Sequence, residues 1–267
     1  MPFELFKLRR DPGFWSGKAL GVLLIGLILL LWWAVTRGPT PESRIVSPAL
    51  IPSPGETFSS FSSLVDRGLV PGIFATLKRV FVGFGLAIVV GVPLGMIAGT
   101  WRAVYAFLSP LIIFGRNVPI AALIPLTLIW FGIYEKQKVM FIFIATVPFI
   151  FSDAAASVAA IHQRYVETAQ TLGANSFQIF RKVLVPLSLP QSYTGLRQLF
   201  GLAFGYVMLA ELINAEHGLG YLINMSEKRS LTTHMILILF IITAIAYVID
   251  RTMVFFERGL FPYTQDP

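Results

Sequence analysis

The chain alternates between long apolar runs and shorter segments that are polar, charged or rich in proline. The first run, Ala19 to Val35, is uncharged and follows Lys7, Arg9, Arg10 and Lys18, a layout that imitates a secretory signal. It is longer than a usual signal core, and Thr36-Arg37-Gly38-Pro39 lacks a small-x-small cleavage pattern, so it reads as a retained first helix entered from the cytosol. Between Gly38 and Gly72 the chain becomes polar and serine-rich, with Pro39, Pro41, Pro48, Pro52, Pro54 and Pro71. Repeated proline excludes one continuous helix there. The pattern predicts an external connection with one short interfacial helix near Thr57 to Val65.

Five further runs predict spans. The second covers Val80 to Ala98, with Ala87, Gly91, Gly95 and Gly99 four positions apart, a stripe of small residues that lets another helix come close. Pro93 lies inside it. The third, Ala103 to Phe131, contains Pro110, Pro119 and Pro125 with Arg116-Asn117 near its middle, and predicts a bent or divided span. The fourth covers Val139 to Ala160 and carries Asp153. The fifth, Leu184 to Ile213, carries Arg197 and Glu211, and the sixth runs from Met235 to Ile249. The predicted fold class is therefore an all-α membrane protein of about six transmembrane helices. Its organisation is a cytosolic N-terminus and first helix over 1–36, an external connection over 37–72, a core over 73–258, and a cytosolic tail over 259–267.

Composition narrows the function classes. Of 267 residues, 55% are apolar and 13% charged, and the mean hydropathy is +0.73, which argues against a soluble domain. Six spans of about 20 residues leave little for a separate extramembrane domain. The net charge of +7 would suggest nucleic acid in a soluble protein, but here basic groups belong beside lipid headgroups, and no nucleic-acid partner is expected. The absence of cysteine excludes disulfides, thiolate metal sites and cysteine nucleophiles, and the presence of only three histidines argues against a histidine metal cluster. Lysine and arginine divide almost evenly between the two sides, so the positive-inside rule gives little orientation.

The polar segment between spans four and five is the most informative. His162-Gln163-Arg164-Tyr165-Val166-Glu167-Thr168-Ala169-Gln170-Thr171-Leu172-Gly173 leads into Ala174 to Lys182 and then Val183-Leu184-Val185-Pro186. Val166, Ala169, Leu172, Phe177 and Phe180 can make apolar contacts on short helices, and Gly173 permits a sharp break between them. At these residues the chain resembles the permease subunits of binding-protein-dependent ABC importers. Their cytosolic loop reads Glu-Ala-Ala, three residues, Gly, nine residues, then Ile-x-Leu-Pro. Glu167 and Ala169 occupy the first and third positions, Thr168 replaces the central alanine, Gly173 is the glycine, Val183 and Val185 the aliphatic pair, and Pro186 the proline. Resemblance extends over roughly Thr76 to Ile223. It includes Thr76-Leu77-Lys78-Arg79, Gly91-Val92-Pro93-Leu94-Gly95, Pro125-Leu126 with Trp130-Phe131-Gly132, Ala210-Glu211-Leu212-Ile213-Asn214 and Gly218-Leu219-Gly220. These look like the nitrate, sulfonate, taurine and bicarbonate branch.

The resemblance implies that segment 161–186 is a coupling helix between spans four and five, seated in a groove of a cytosolic ATPase. Glu167, Thr168, Ala169, Leu172, Gly173, Phe177, Val183, Val185 and Pro186 would form it. It further implies two ATPase subunits carrying ATP and Mg, no cofactor on this chain, a second permease copy, an external solute-binding protein and a multi-pass place in the bacterial inner membrane with both termini cytosolic. The substrate would be an oxyanion, a sulfonate or a related small solute.

Charges inside spans cost roughly 3 kcal/mol each when unpaired, so Arg116, Asp153, Arg197 and Glu211 should face protein or water. Arg116, with Asn117 beside it, either lines the pathway and attracts an anion or pairs structurally, for example with Asp153 or Glu211. Enzyme signatures fail: Gly13-Phe14-Trp15-Ser16-Gly17-Lys18-Ala19 is one residue short of a phosphate loop and lacks its hydroxyl, and Gly218-Leu219-Gly220 lacks a third glycine. Two rivals remain on the sequence alone. An ion-coupled secondary transporter would use the intramembrane charges directly. A membrane scaffold would use the loop only for docking.

Overall fold

The computed structural model describes residues 14–38, 40 and 43–264. The basic residues Lys7, Arg9 and Arg10, the prolines Pro39 and Pro41, and residues 265–267 of the expected tail lie outside these. In chain order the helices are α1 (Phe14–Thr36), α2 (Pro54–Ser59), α3 (Phe61–Asp66), α4 (Leu69–Thr100), α5 (Arg102–Asn117), α6 (Leu123–Phe131), α7 (Glu135–Ala159), α8 (Gln163–Thr171), α9 (Ser176–Ile179), α10 (Val185–Asn214), α11 (Leu219–Lys228) and α12 (Thr232–Leu260). No strand occurs among the described residues. Five helical stretches are long and apolar enough to cross a membrane, and α5 with α6, joined at an 89° bend, makes a sixth if taken as one broken span. The break falls at Val118–Pro119, where proline restricts the residue before it and ends α5.

Several helices exceed their predicted lengths. Helix α4 begins at Leu69, so the last residues of the stretch read as connection are already helical, with Pro71 in the first turn, where it costs no hydrogen bond. Helix α12 continues to Leu260, past Ile249, because Asp250 and Glu257 find a basic partner instead of ending the span. The single interfacial helix expected near Thr57 is two short ones, α2 and α3.

The chain forms two compact units. The first comprises residues up to Leu64 together with Ser226–Leu237. Within it, Ser53 caps α2 in a reciprocal box with Glu56, whose carboxylate also receives two hydrogen bonds from Arg44, at 3.0 and 2.8 Å. Trp32 Nε1 donates to the Pro52 carbonyl at 2.9 Å, tying α1 to the connection. Most of α1 presents apolar side chains outward, Val22 being 70% exposed, which suits a lipid environment.

The second unit, Val65–Met225 with Ile238–Pro267, is the larger and is centred on α4, α7 and α10. Val80, Phe84 and Ala87 of α4 meet Ile142 and Ile150 of α7 and Phe200, Ala203, Phe204 and Val207 of α10. The small-residue stripe faces α7. A methyl added at Gly91 would meet Ile150 Cγ2 at 2.9 Å, at Gly99 the Ala155 carbonyl at 2.6 Å, and at Gly95 the Phe151 carbonyl itself. Such close backbone approach is the chief packing resource where lipid removes the hydrophobic drive.

Candidate functional site

The segment between α7 and α10 is a helix–turn–helix built from local signals. His162 caps α8 by accepting from the Arg164 amide, and α8 runs to Thr171. Its end is a Schellman turn. The Ala174 amide donates to the Ala169 carbonyl at 3.0 Å, and the Gly173 amide to that of Gln170 at 2.9 Å. Gly173 sits at φ +81°, the left-handed conformation this turn requires. Asn175 and Gln178 then form a reciprocal capping box that starts α9.

The two faces of this segment differ. Val166, Ala169, Ala174, Phe180, Val183 and Val185 pack onto Met96, Ala154, Val158, Ile179 and Leu184, seating the segment on the ends of α4 and α7. Leu172 and Phe177 point the other way, 83% and 63% exposed, on either side of Gly173, which has nothing within 4 Å of where a side chain would begin. Glu167, Thr168 and Pro186 are also exposed. The result is an apolar knob held rigidly from behind.

At the opposite end of α4, α7 and α10, side chains distant in sequence converge. Arg79 is forked onto Glu135 at 2.7 and 2.5 Å, and its third nitrogen donates to Glu211 at 2.6 Å and to the His217 carbonyl at 2.7 Å. The Thr76 hydroxyl donates to Glu211 at 2.8 Å and receives the Leu219 amide at 2.9 Å. The Gly220 amide completes the Glu211 shell at 2.9 Å. Gly218, at φ +136°, leaves no room for a side chain, because one would strike Arg79 and the Glu211 carboxylate. Three separate motif fragments, Thr76–Arg79, Ala210–Glu211 and Gly218–Gly220, therefore meet in one buried network.

Residues 91–262 match the family described as the binding-protein-dependent transport system inner membrane component. The chain belongs to this family. Among its relatives, a probable ABC transporter permease protein of Brucella melitensis is 36% identical over 202 residues, covering 74% of this chain and 81% of the relative. The taurine transport system permease protein TauC of Escherichia coli is 29% identical over 250 residues, covering 91% and 89%. The nitrate import permease protein NrtB of Synechocystis is 28% identical over 251 residues, covering 90% and 88%. In fold the chain is similar to a chain of the MetNI methionine ABC transporter in inward-facing conformation, with a TM-score of 0.65, 23% identity, and coverage of 72% of this chain and 95% of that one. The protein is a multi-pass inner-membrane permease subunit of a binding-protein-dependent transport system, and so a transporter component.

Within the permease the other charged positions have distinct surroundings. Arg116 and Asn117 lie exposed at the end of α5, beside the bend, where the sequence pattern had put them mid-span. Arg116 is 5.5 Å from the Phe149 ring and is paired with neither Asp153 nor Glu211. Asn117 turns back to the Ile113 carbonyl at 2.7 Å. Arg197 bridges Asp250 at 3.2 Å and Glu257 at 2.8 Å, both on α12. Asp153 packs its carboxylate directly against Gly195 of α10. Arg79, Glu135 and the buried Lys138 were not singled out by the sequence as site residues, since near a span end each resembles an ordinary flanking charge.

Proposed function

We propose that this permease forms the translocation pathway for a small solute, an oxyanion, sulfonate or related small molecule, delivered by an external binding protein. Two copies would enclose one pathway, with two cytosolic ATPase subunits below that carry ATP and Mg, no cofactor on this chain, and both termini in the cytosol. The observation that carries the reading is the knob formed by Leu172, Gly173 and Phe177, apolar and exposed yet braced against α4 and α7. An exposed apolar patch of this kind on a rigid support calls for a protein partner. Movement of that partner would reach the span ends as rigid-body motion.

Substrate class is supported by the names of the relatives, which include permeases for taurine, nitrate and bicarbonate. Exposed Arg116 at the α5–α6 bend supports an anion path. The test is mild detergent extraction of the tagged chain from its native membranes with mass spectrometry of what copurifies. An ATPase in equal amount supports the reading, and its binding protein can then be screened with taurine, nitrate and bicarbonate. Recovery of a folded chain alone would favour ion-coupled transport or scaffolding.

A further inference from the structure

The root of α10 is short of backbone donors. In an α-helix the carbonyl of residue 182 takes the amide of residue 186, and that of 186 takes the amide of 190, yet both donors are proline. Around the first vacancy the helix widens. Phe180–Leu184 forms a π turn in which the Val185 amide reaches back to the Phe180 carbonyl. The second is met from far along the chain. Tyr263, in the Pro262–Thr264 turn that follows α12, donates its hydroxyl to the Pro186 carbonyl at 3.1 Å.

That turn is itself held in place. Phe261 stacks edgewise on Tyr193 of α10, with centroids 5.8 Å apart, and on Tyr263 at 6.2 Å. The Tyr193 hydroxyl returns to the Met253 carbonyl at 3.0 Å. From the other side, Trp101 at the end of α4 packs on Phe180 at 5.1 Å. The weakest stretch of the lever between the knob and α10 is thus gripped from both flanks.

We propose that the C-terminal turn is a brace for this lever, and that Tyr263 is a positioning residue which supplies the donor Pro190 lacks and so keeps the motion of segment 161–186 transmitted to α10. The proposal rests on the reading of that segment as the contact with the ATPase.

The experiment uses the full permease–ATPase complex in nanodiscs, comparing wild type, Tyr263→Phe, Pro190→Ala and the double variant. Phenylalanine keeps the ring stack and removes only the hydroxyl, while alanine at 190 restores a helical amide for the Pro186 carbonyl. In Tyr263→Phe, amide exchange over residues 187–194 should rise about fivefold, the effect of one net hydrogen bond. ATP hydrolysis without binding protein should rise about threefold to fivefold as the lever loosens. In the Pro190→Ala background both increases should vanish, a coupling that a merely structural tail would not show. Unchanged exchange in Tyr263→Phe, raised exchange with unchanged hydrolysis, or the same increases in both backgrounds would each overturn the proposal. Failure of the underlying reading registers separately. A Gly173→Asp complex that keeps both its ATPase and its wild-type uptake per ATP hydrolysed removes the ATPase contact from segment 161–186, and the brace proposal with it.

Discussion

Arg79 and Glu211 form a hydrogen-bonded ion pair of 2.6 Å with side-chain exposures of 3% and 0%, joining α4 to α10 away from solvent. Desolvating two ions is costly, and here the cost is offset by full coordination: Glu211 also accepts from the Thr76 hydroxyl and the Gly220 amide, while Arg79 donates to the His217 carbonyl. The pair fixes the short loop before α11 as much as it fixes the helices.

Removing one partner should therefore cost more than the pair is worth. Glu211→Ala leaves a buried guanidinium with one of its two acids and should destabilise the permease by about 3–5 kcal/mol. Glu135 is 66% exposed, and its removal should cost about 1 kcal/mol or less. Thermal unfolding in detergent should rank wild type, Glu135→Ala, then Glu211→Ala. Equal midpoints for the two variants would contradict the buried-clamp account.

The glycine stripe makes a paired prediction. Gly95→Ala drives a methyl into the Phe151 carbonyl and Ala154, and should cost about 1–3 kcal/mol. Gly85, on the same helix, has nothing within 4 Å of an added methyl, so Gly85→Ala should be neutral or stabilise by up to about 1 kcal/mol. Loss of stability in both variants would mean that close α4–α7 approach is not what the stripe provides.

At the knob, Gly173→Asp adds a β-carbon to a left-handed residue and a charge between Leu172 and Phe177. The conformational penalty is about 1–2 kcal/mol, confined to an exposed turn, so the fold should survive. ATPase recovery with the permease, or uptake per ATP hydrolysed, should fall. Pull-down stoichiometry and proteoliposome uptake measure these, and wild-type values for both would refute the docking role.

Glu56 gives a pH signature outside the spans. The Arg44 guanidinium, followed by the Ser53 amide, lowers its carboxyl from the ordinary 4.5 to about 2. A carboxyl lowered on folding adds stability that is present above its unfolded value and lost as pH falls through its folded value. Protection of the Pro54–Ser59 amides should thus decline between pH 4.5 and about 2, after correction for intrinsic exchange. Glu56→Gln should remove that pH dependence, and its persistence in the variant would assign it elsewhere.

How much of this was readable beforehand follows the range of each interaction. The four-residue glycine spacing and a proline break within 103–131 are local, and the chain announces both, though it does not choose Pro119 over Pro110 or Pro125. The Schellman turn at Gly173 is also local, and the motif spacing points straight to it. Arg79 and Glu211 are distant in sequence, and nothing near either residue names the other. Arg197 likewise finds its acids on α12, which the hydropathy pattern had ended at Ile249. Burial of paired charges is a property of three-dimensional packing, so the sequence marks such ions as costly without identifying the partners.

Arg116 separates pathway from scaffold. It is exposed, lies at the end of α5 beside the α5–α6 bend, and forms no ion pair among the described residues, where it makes a ring contact with Phe149. Losing its charge should leave the folded assembly intact, unlike loss of Glu211. If it draws anions toward the bend, Arg116→Gln should lower uptake of taurine, nitrate or bicarbonate by about tenfold, well within the Coulomb energy of a partly solvated pair. Arg116→Lys should retain much of the rate. The wild-type advantage should shrink as ionic strength rises, because a solvated attraction is screened over about 10 Å at 0.1 M salt. Complex recovered by size exclusion provides the control. Reduced assembly in Arg116→Gln, or uptake insensitive to both charge and salt, would place Arg116 in the structure of the bundle and outside the anion path.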